Sequence, residues 1–158
     1  MKILVISDSH GHVANLKAVL EIGKKADVKA VIHCGDWDDL AAFRAVQSYN
    51  LPIYSTLGNA DVDSDLEDAL KFECKKYDPY ILELNFEGKK IGVTHRADLK
   101  NPKLYEYKII FSGHYHSRED KIVNWTRFIR PGAIVRGINF AVFETVSGTI
   151  EFVNEQSD

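Results

Sequence analysis

Disulfide chemistry has little to work with in this chain. Its two cysteines, Cys34 and Cys74, are too few for a disulfide framework, and each sits in or beside an apolar stretch, so both read as buried reduced thiols. Long hydrophobic runs are also missing: nothing approaches the roughly 20 apolar residues that a membrane helix needs. The apolar start, Met1–Ser7, is short, is closed by Asp8, and has no small-residue cleavage site behind it, so it does not read as a secretory signal. A cytoplasmic location is the resulting expectation, and the sequon Asn124-Trp125-Thr126 then carries no meaning. Neither sign of charge dominates. Lys and Arg number 20 against 23 Asp and Glu, a net charge of −3, which gives no support for bulk attraction to nucleic acid or a membrane. No membrane and no dedicated nucleic-acid partner is expected.

What is present is globular. Hydrophobic residues at 45% with charged residues at 27% exclude the composition of a disordered chain, and 158 residues suffice for one domain, 1–158, with a real core. No repeat or long linker interrupts it. Lys2–Ser7 is a continuous apolar run, as in a strand buried on both faces. Val13–Lys25 places Val13, Leu16, Val19, Leu20 and Gly23 at helical spacing. Lys29–Cys34 reads as a second buried strand, Asp39–Tyr49 as a second helix and Pro52–Leu57 as a third strand. That alternation implies parallel strands with right-handed crossovers.

The second half changes character. Tyr80–Phe86 and Lys90–His95 flank Glu87-Gly88-Lys89, a hairpin signature. Asn101–Tyr107 reads as a short helix opened by Asn101 and Pro102, and Ile109–Ser112 as a short strand. From Lys121 to the end the chain is mostly β, with turns at Pro131-Gly132 and Ser147-Gly148. The acidic stretch Val62–Asp78 reads as a helix followed by a loop. The whole suggests two packed sheets with helices outside.

The polar residues of interest fall at the C-terminal ends of these strands. They are Asp8-Ser9-His10, Gly35-Asp36, Gly58-Asn59-Ala60-Asp61, Thr94-His95 and Gly113-His114-Tyr115-His116. In open α/β sheets that edge is where ligands bind. Asp8 and Asp36 bring carboxylates, His10, His95, His114 and His116 bring imidazoles, and Asn59 brings an amide oxygen. This mixed set suits divalent transition metals such as Mn, Fe, Co, Ni or Zn, and the lack of thiolate excludes a structural zinc site. Seven donors are too many for one tetrahedral ion and suit two ions roughly 3.5–4 Å apart. Each motif alone is an ordinary turn or a structural histidine. Their co-occurrence, each after an apolar strand, is what chance does not readily supply.

Taken together, the five motifs resemble those of the calcineurin-like metallophosphoesterase superfamily. Its pattern is D-x-H, G-D, G-N-[H/x]-[D/E], a late histidine, then G-H-x-H, and the match runs from residue 3 to 116. The short length and Arg130-Pro131-Gly132-Ala133 look like the small bacterial and archaeal phosphodiesterase branch, whose usual text is N-P-G-S, so Arg130 and Ala133 depart from it. The resemblance implies a four-layer αββα sandwich of two mixed sheets. It implies one ion on Asp8, His10, Asp36 and His116, and a second on Asp36, Asn59, His95 and His114, with Asp36 bridging. Manganese is the expected metal. Attack by a hydroxide bridging the ions would hydrolyse a small phosphoester, most simply a diester. Asn59, Asp61 and His95 are the residues expected to serve catalysis, Asp61 by orienting Asn59.

Two departures bear on substrate. Ala60 stands where many relatives carry a histidine that protonates the leaving group, which favours diesters with good leaving groups over monoesters. Arg96 stands where glycine is common after the late histidine; it either reaches a phosphate oxygen or faces solvent. Among the remaining side chains, His12 reads as a helix-entry residue, His33 as a core histidine, Tyr115 as packing or rim, and Trp37 as either a cleft wall or core. Arg118, Arg130 and Arg136 read as solvated or phosphate-binding. A monoesterase, a nuclease, or a non-catalytic scaffold like the retromer subunit are the alternatives, and a homodimer or higher homo-oligomer stays open.

Overall fold

The computed structural model describes residues 1–155. The chain opens with β1 (Lys2–Ile6), α1 (Val13–Lys25), β2 (Val28–His33), α2 (Leu40–Gln47) and β3 (Ile53–Ser55). It continues with α3 (Ser64–Glu73), β4 (Lys76–Tyr77), β5 (Leu82–Phe86), β6 (Lys89–Val93) and β7 (Ile109–Phe111). Then come β8 (Arg118–Val123), β9 (Thr126–Pro131), β10 (Ile138–Glu144) and β11 (Ile150–Glu155). The strands divide into two mixed sheets, β11-β10-β1-β2-β3-β4 and β5-β6-β7-β9-β8. β1 through β4 run parallel, and β10 adds antiparallel to β1. In the second sheet β6, β7 and β9 are parallel, with β5 and β8 antiparallel at the edges.

Strand periodicity explains how one apolar run feeds two cores. In β1, Leu4 and Ile6 face the helices, where they meet Leu16, Val19, Leu20, Phe43 and Leu70. Ile3 and Val5 face the other way, into the layer between the sheets, with Ile32, Val93, Phe111, Ile129 and Phe143. Phe111 and Phe143 meet there edge to face at 5.5 Å between ring centroids. α1 begins where His12 accepts the Asn15 amide, so His12 is a helix cap. The β5–β6 hairpin turns through Glu87 and Gly88, both at positive φ as a type I′ turn demands.

The αββα expectation holds for the two sheets and for the three helices on one outside face. On the other outside face only the 3-10 turn Pro102–Glu106 covers Leu104, Tyr107, Ile110 and Phe128, so that layer is thin. The loop expected before Asp78 is partly a strand: Lys76–Tyr77 pairs with β3 through backbone bonds alone, leaving no side-chain periodicity to read. The C-terminal β expectation holds through Glu155; its last three residues lie outside those described. No helix among the described residues is long and apolar enough to cross a membrane.

Phe143 is fully buried between the sheets, so Phe143→Ala should lower stability by about 3–5 kcal/mol in urea unfolding. Trp125 is 91% exposed, and Trp125→Ala should stay within about 0.5 kcal/mol of the parent chain.

Candidate metal centre

The loops that follow β1, β2, β3, β6 and β7 converge beyond the C-terminal ends of both sheets. Backbone bonds stitch them together. Asp8 N–H donates to Gly35 O at 3.0 Å, His10 N–H to Asp36 O at 3.0 Å, and Gly113 N–H to His95 O at 2.9 Å. The His114 N–H reaches across to the Asp8 carboxylate at 3.0 Å. A later segment closes over them: Ile134 and Val135 donate their N–H groups to Ser7 O and Asp8 O, both at 3.0 Å.

Strain concentrates here. Of the eleven non-glycine residues at positive φ among the described residues, six are Asp8, His10, Asp36, Asp38, His114 and His116. Each such conformation costs about 1–3 kcal/mol and persists only where the surroundings enforce it, as at functional sites.

The side chains form two groups around one oxygen. In the first, His10 Nε2 lies 3.2 Å from His116 Nε2, 3.5 Å from Asp36 Oδ2 and 3.9 Å from Asp8 Oδ1. His116 Nε2 is 3.5 Å from Asp8 Oδ1. In the second, His95 Nε2 lies 3.2 Å from the same Asp36 Oδ2, 2.9 Å from Asn59 Oδ1 and 3.3 Å from His114 Nδ1, which is 3.0 Å from Asn59 Oδ1. The donors of Asp8, His10 and His116, and those of Asp8, Asp36 and His95, all lie within 4.8 Å of one another. All seven side chains singled out in the sequence come together.

Neighbouring groups orient these donors. Cys34 O can only accept, so the 2.8 Å contact to His95 Nδ1 places the proton there and, in the neutral ring, turns the Nε2 lone pair into the site. Asp38 Oδ1 does the same for His10 Nδ1 at 2.9 Å. With those protons committed outward, the His10 and His95 lone pairs face the other donors, an arrangement that a cation would relieve. The donor chemistry therefore fits divalent cations.

Asp61 makes no hydrogen bond to the seven donor side chains, only to backbone. Its carboxylate accepts the N–H groups of Asp36 at 2.9 Å, Asp38 at 2.9 Å and Gly58 at 2.8 Å, tying the loop after β2 to the loop after β3. Close packing requires glycine beside it: a methyl group at Gly58 would collide with the Asp36 carboxylate, and one at Gly113 with the Ser7 hydroxyl.

Burial forms a gradient. Asp8, Asp36, Asp61 and His95 are buried, His10, His114 and His116 are half-buried, and Asn59 is exposed at the rim. Burial alone would raise the Asp36 carboxyl, but the His95 side chain beside it, the Ala60 N–H and the nearby His10 imidazole bring it down to about 2. For Asp8, burial wins over the bond from Ser7 Oγ and raises its pKa.

Other residues are placed elsewhere. Trp37 is fully buried, stacked on His33 at 3.6 Å and donating Nε1–H to Ser55 Oγ, so it walls no cleft. His33 is a core residue that accepts the Gly35 N–H and contacts Ser9 Oγ at 3.0 Å. Arg130 is engaged by Glu119 and Ser117, and Arg118 lies over Phe152. Sequence reasoning missed Asp38, although its position two residues after Asp36 was a usable signal. The Cys34 carbonyl had none, being backbone.

Comparison with known proteins agrees with this geometry. Residues 1–148 match the family model described as the calcineurin-like phosphoesterase superfamily domain. A phosphodiesterase of Methanocaldococcus jannaschii is 32% identical over 139 residues, covering 84% of this chain and 83% of that protein. A probable metallophosphoesterase of Bacillus subtilis is 27% identical over 137 residues, 85% of this chain and 75% of that protein. A solved structure of an archaeal phosphodiesterase superposes with a TM-score of 0.81 at 25% identity, covering 97% of this chain and 99% of that one.

Removing the Asp61 carboxylate leaves buried N–H groups without their acceptor. Asp61→Ala should therefore lose at least about 1–3 kcal/mol in urea unfolding under chelator, where no metal contributes. Unchanged stability would contradict the tying role.

Proposed function

The chain belongs to the calcineurin-like phosphoesterase superfamily, and from that premise we propose that it is a metal-dependent phosphodiesterase working with two divalent cations. The observation that carries the reading is the shared oxygen, Asp36 Oδ2, at 3.5 Å from His10 Nε2 and 3.2 Å from His95 Nε2. One cation would be held by Asp8, His10, Asp36 and His116, and the other by Asp36, Asn59, His95 and His114. Manganese is our assignment, with Ni, Fe, Co and Zn compatible with the same nitrogen and oxygen donors. Such ions, when bound, supply Lewis acidity at the phosphoryl oxygens and lower the pKa of water towards neutrality.

The chain's own residues decide the rest. Asp36, held down to about 2, keeps its charge at neutral pH and so can serve both donor groups. Cys34 O and Asp38 aim the imidazoles of His95 and His10, and Asp61 fixes the backbone that carries Asn59. We assign Asn59, exposed at the rim, and His95, buried beneath it, to catalysis, as residues that would act on the bound phosphoryl group. Ala60 has no proton to give a leaving group; its N–H is committed to Asp36 Oδ1 at 2.8 Å. This supports diesters with good leaving groups as substrates, ahead of alkyl monoesters. The free cysteines, Cys34 and Cys74, suit a reducing compartment, and we assign the protein to the cytoplasm.

After chelation and reloading with Mn, the protein should hydrolyse bis-aryl phosphate much faster than mono-aryl phosphate. His114→Ala should bind about one equivalent of Mn where the parent binds two, with diester turnover down about 100-fold or more. Metal analysis and steady-state rates decide it. Near-parental metal content and turnover in His114→Ala would refute the second cation.

A further inference from the structure

The residue after His95 is Arg96, and its surroundings are unusual for an arginine. In the bend that follows β6, His95 is buried in the site and Arg96 is exposed at its lip. Arg96 Nε donates to Tyr115 Oη at 3.1 Å. Tyr115 sits between His114 and His116, with its ring 4.9 Å from the His114 ring and half exposed. On that ring a second guanidinium rests, Arg130, at 5.1 Å. The two arginines differ in charge balance. Arg130 is neutralised by Glu119 at 2.8 Å, and Glu119 also meets Lys121 at 2.9 Å. Arg96 has no carboxylate within 4.0 Å among the described residues, and its terminal nitrogens have no acceptor there.

Arg96 thus stands outside the ion pairs among the described residues and is braced by a phenol, although Asp98 lines both of the grooves beside it and Glu119 one of them. Arg96 stands where those two grooves meet. One, of about 260 Å³, starts at His95 and is walled by Leu57, Pro79 and Tyr80. The other, of about 290 Å³, runs past Tyr115 towards Arg130 and Lys121. An ester arm leaving the donor groups along the first groove passes Arg96 at its lip. A planar guanidinium with free N–H groups matches a phosphate bidentately.

We propose that Arg96, braced by Tyr115, is a substrate-binding residue that recognises a second phosphate on the ester arm. The preferred substrates are then phosphodiesters carrying a further phosphate, such as 5′-phosphodiesters of a nucleoside that also bears a 3′-phosphate, over singly charged diesters. The inference rests on the phosphodiesterase reading above.

The test uses the Mn-loaded protein and two probes: the p-nitrophenyl ester of thymidine 5′-phosphate, with and without a 3′-phosphate. The parent chain should favour the 3′-phosphorylated probe about tenfold or more in kcat/KM, mostly through KM. In Arg96→Gln that preference should vanish. Arg96→Lys should keep part of it, and Tyr115→Phe, which removes the brace, should weaken it. Calorimetry should show the same contrast between thymidine 3′,5′-bisphosphate and thymidine 5′-phosphate. Equal kcat/KM for the two probes in the parent chain would overturn the proposal. So would an Arg96→Gln variant that keeps its metal and loses turnover of both probes equally, since Arg96 would then serve the cleaved phosphoryl group. Failure of the parent chain to hydrolyse either probe or bis-aryl phosphate would instead sink the phosphodiesterase reading itself.

Discussion

Electron-rich atoms do not gather without a cause. Around Asp36 Oδ2 stand imidazole nitrogens at 3.2 and 3.5 Å, which in turn lie 2.9 Å from an amide oxygen and 3.9 Å from a second carboxylate, respectively. Two of the imidazoles have spent their protons on partners outside the group, His95 on Cys34 O and His10 on Asp38. Lone pairs held this close repel one another, and positive charge makes the arrangement more favourable. The rest of the molecule can be understood as the means of enforcing it. Two apolar cores supply the burial free energy, parallel strands bring their ends to one edge, and loops in left-handed conformations turn the donors inward.

The enforcement has layers. Asp61 ties two loops by accepting three backbone N–H groups, an arrangement that leaves its own carboxyl raised by burial despite those bonds. Gly58 and Gly113 let backbone approach where any side chain would collide with Asp36 or Ser7. Above this rigid floor the rim is different in kind: Asn59, Arg96 and Tyr115 are exposed and free to meet a ligand.

Much of this was legible in the sequence because the decisive residues follow apolar runs. Asp8, Asp36, Asn59, His95 and His114 each come just after a strand whose hydrophobicity marks it, so convergence followed from topology. The structure brings those side chains together, and it places Asp61 on the backbone amides of Asp36, Asp38 and Gly58. What stayed hidden depends on atoms or contacts that residue type does not announce. The Cys34 carbonyl is backbone, β4 has two residues and no pattern, and Trp37 turns towards His33 and Phe43 for reasons of local packing. The thin cover on the second sheet was likewise invisible, because Asn101–Tyr107 carries helix-start signals whether it makes a full helix or a single 3-10 turn.

All seven donors lie in the first 116 residues, yet the loop bearing Asp8 is clasped by Ile134 and Val135, and β1 is flanked by β10. A nascent chain that had already emerged through His116 would therefore still lack the strand beside β1 and the clasp on Asp8. Contacts so distant along the chain form late in folding. On the reading proposed above, a cation would therefore find its donors fully clasped only after β10 has joined β1, so that occupancy would report closure of the whole fold and not merely of its ligand-bearing part.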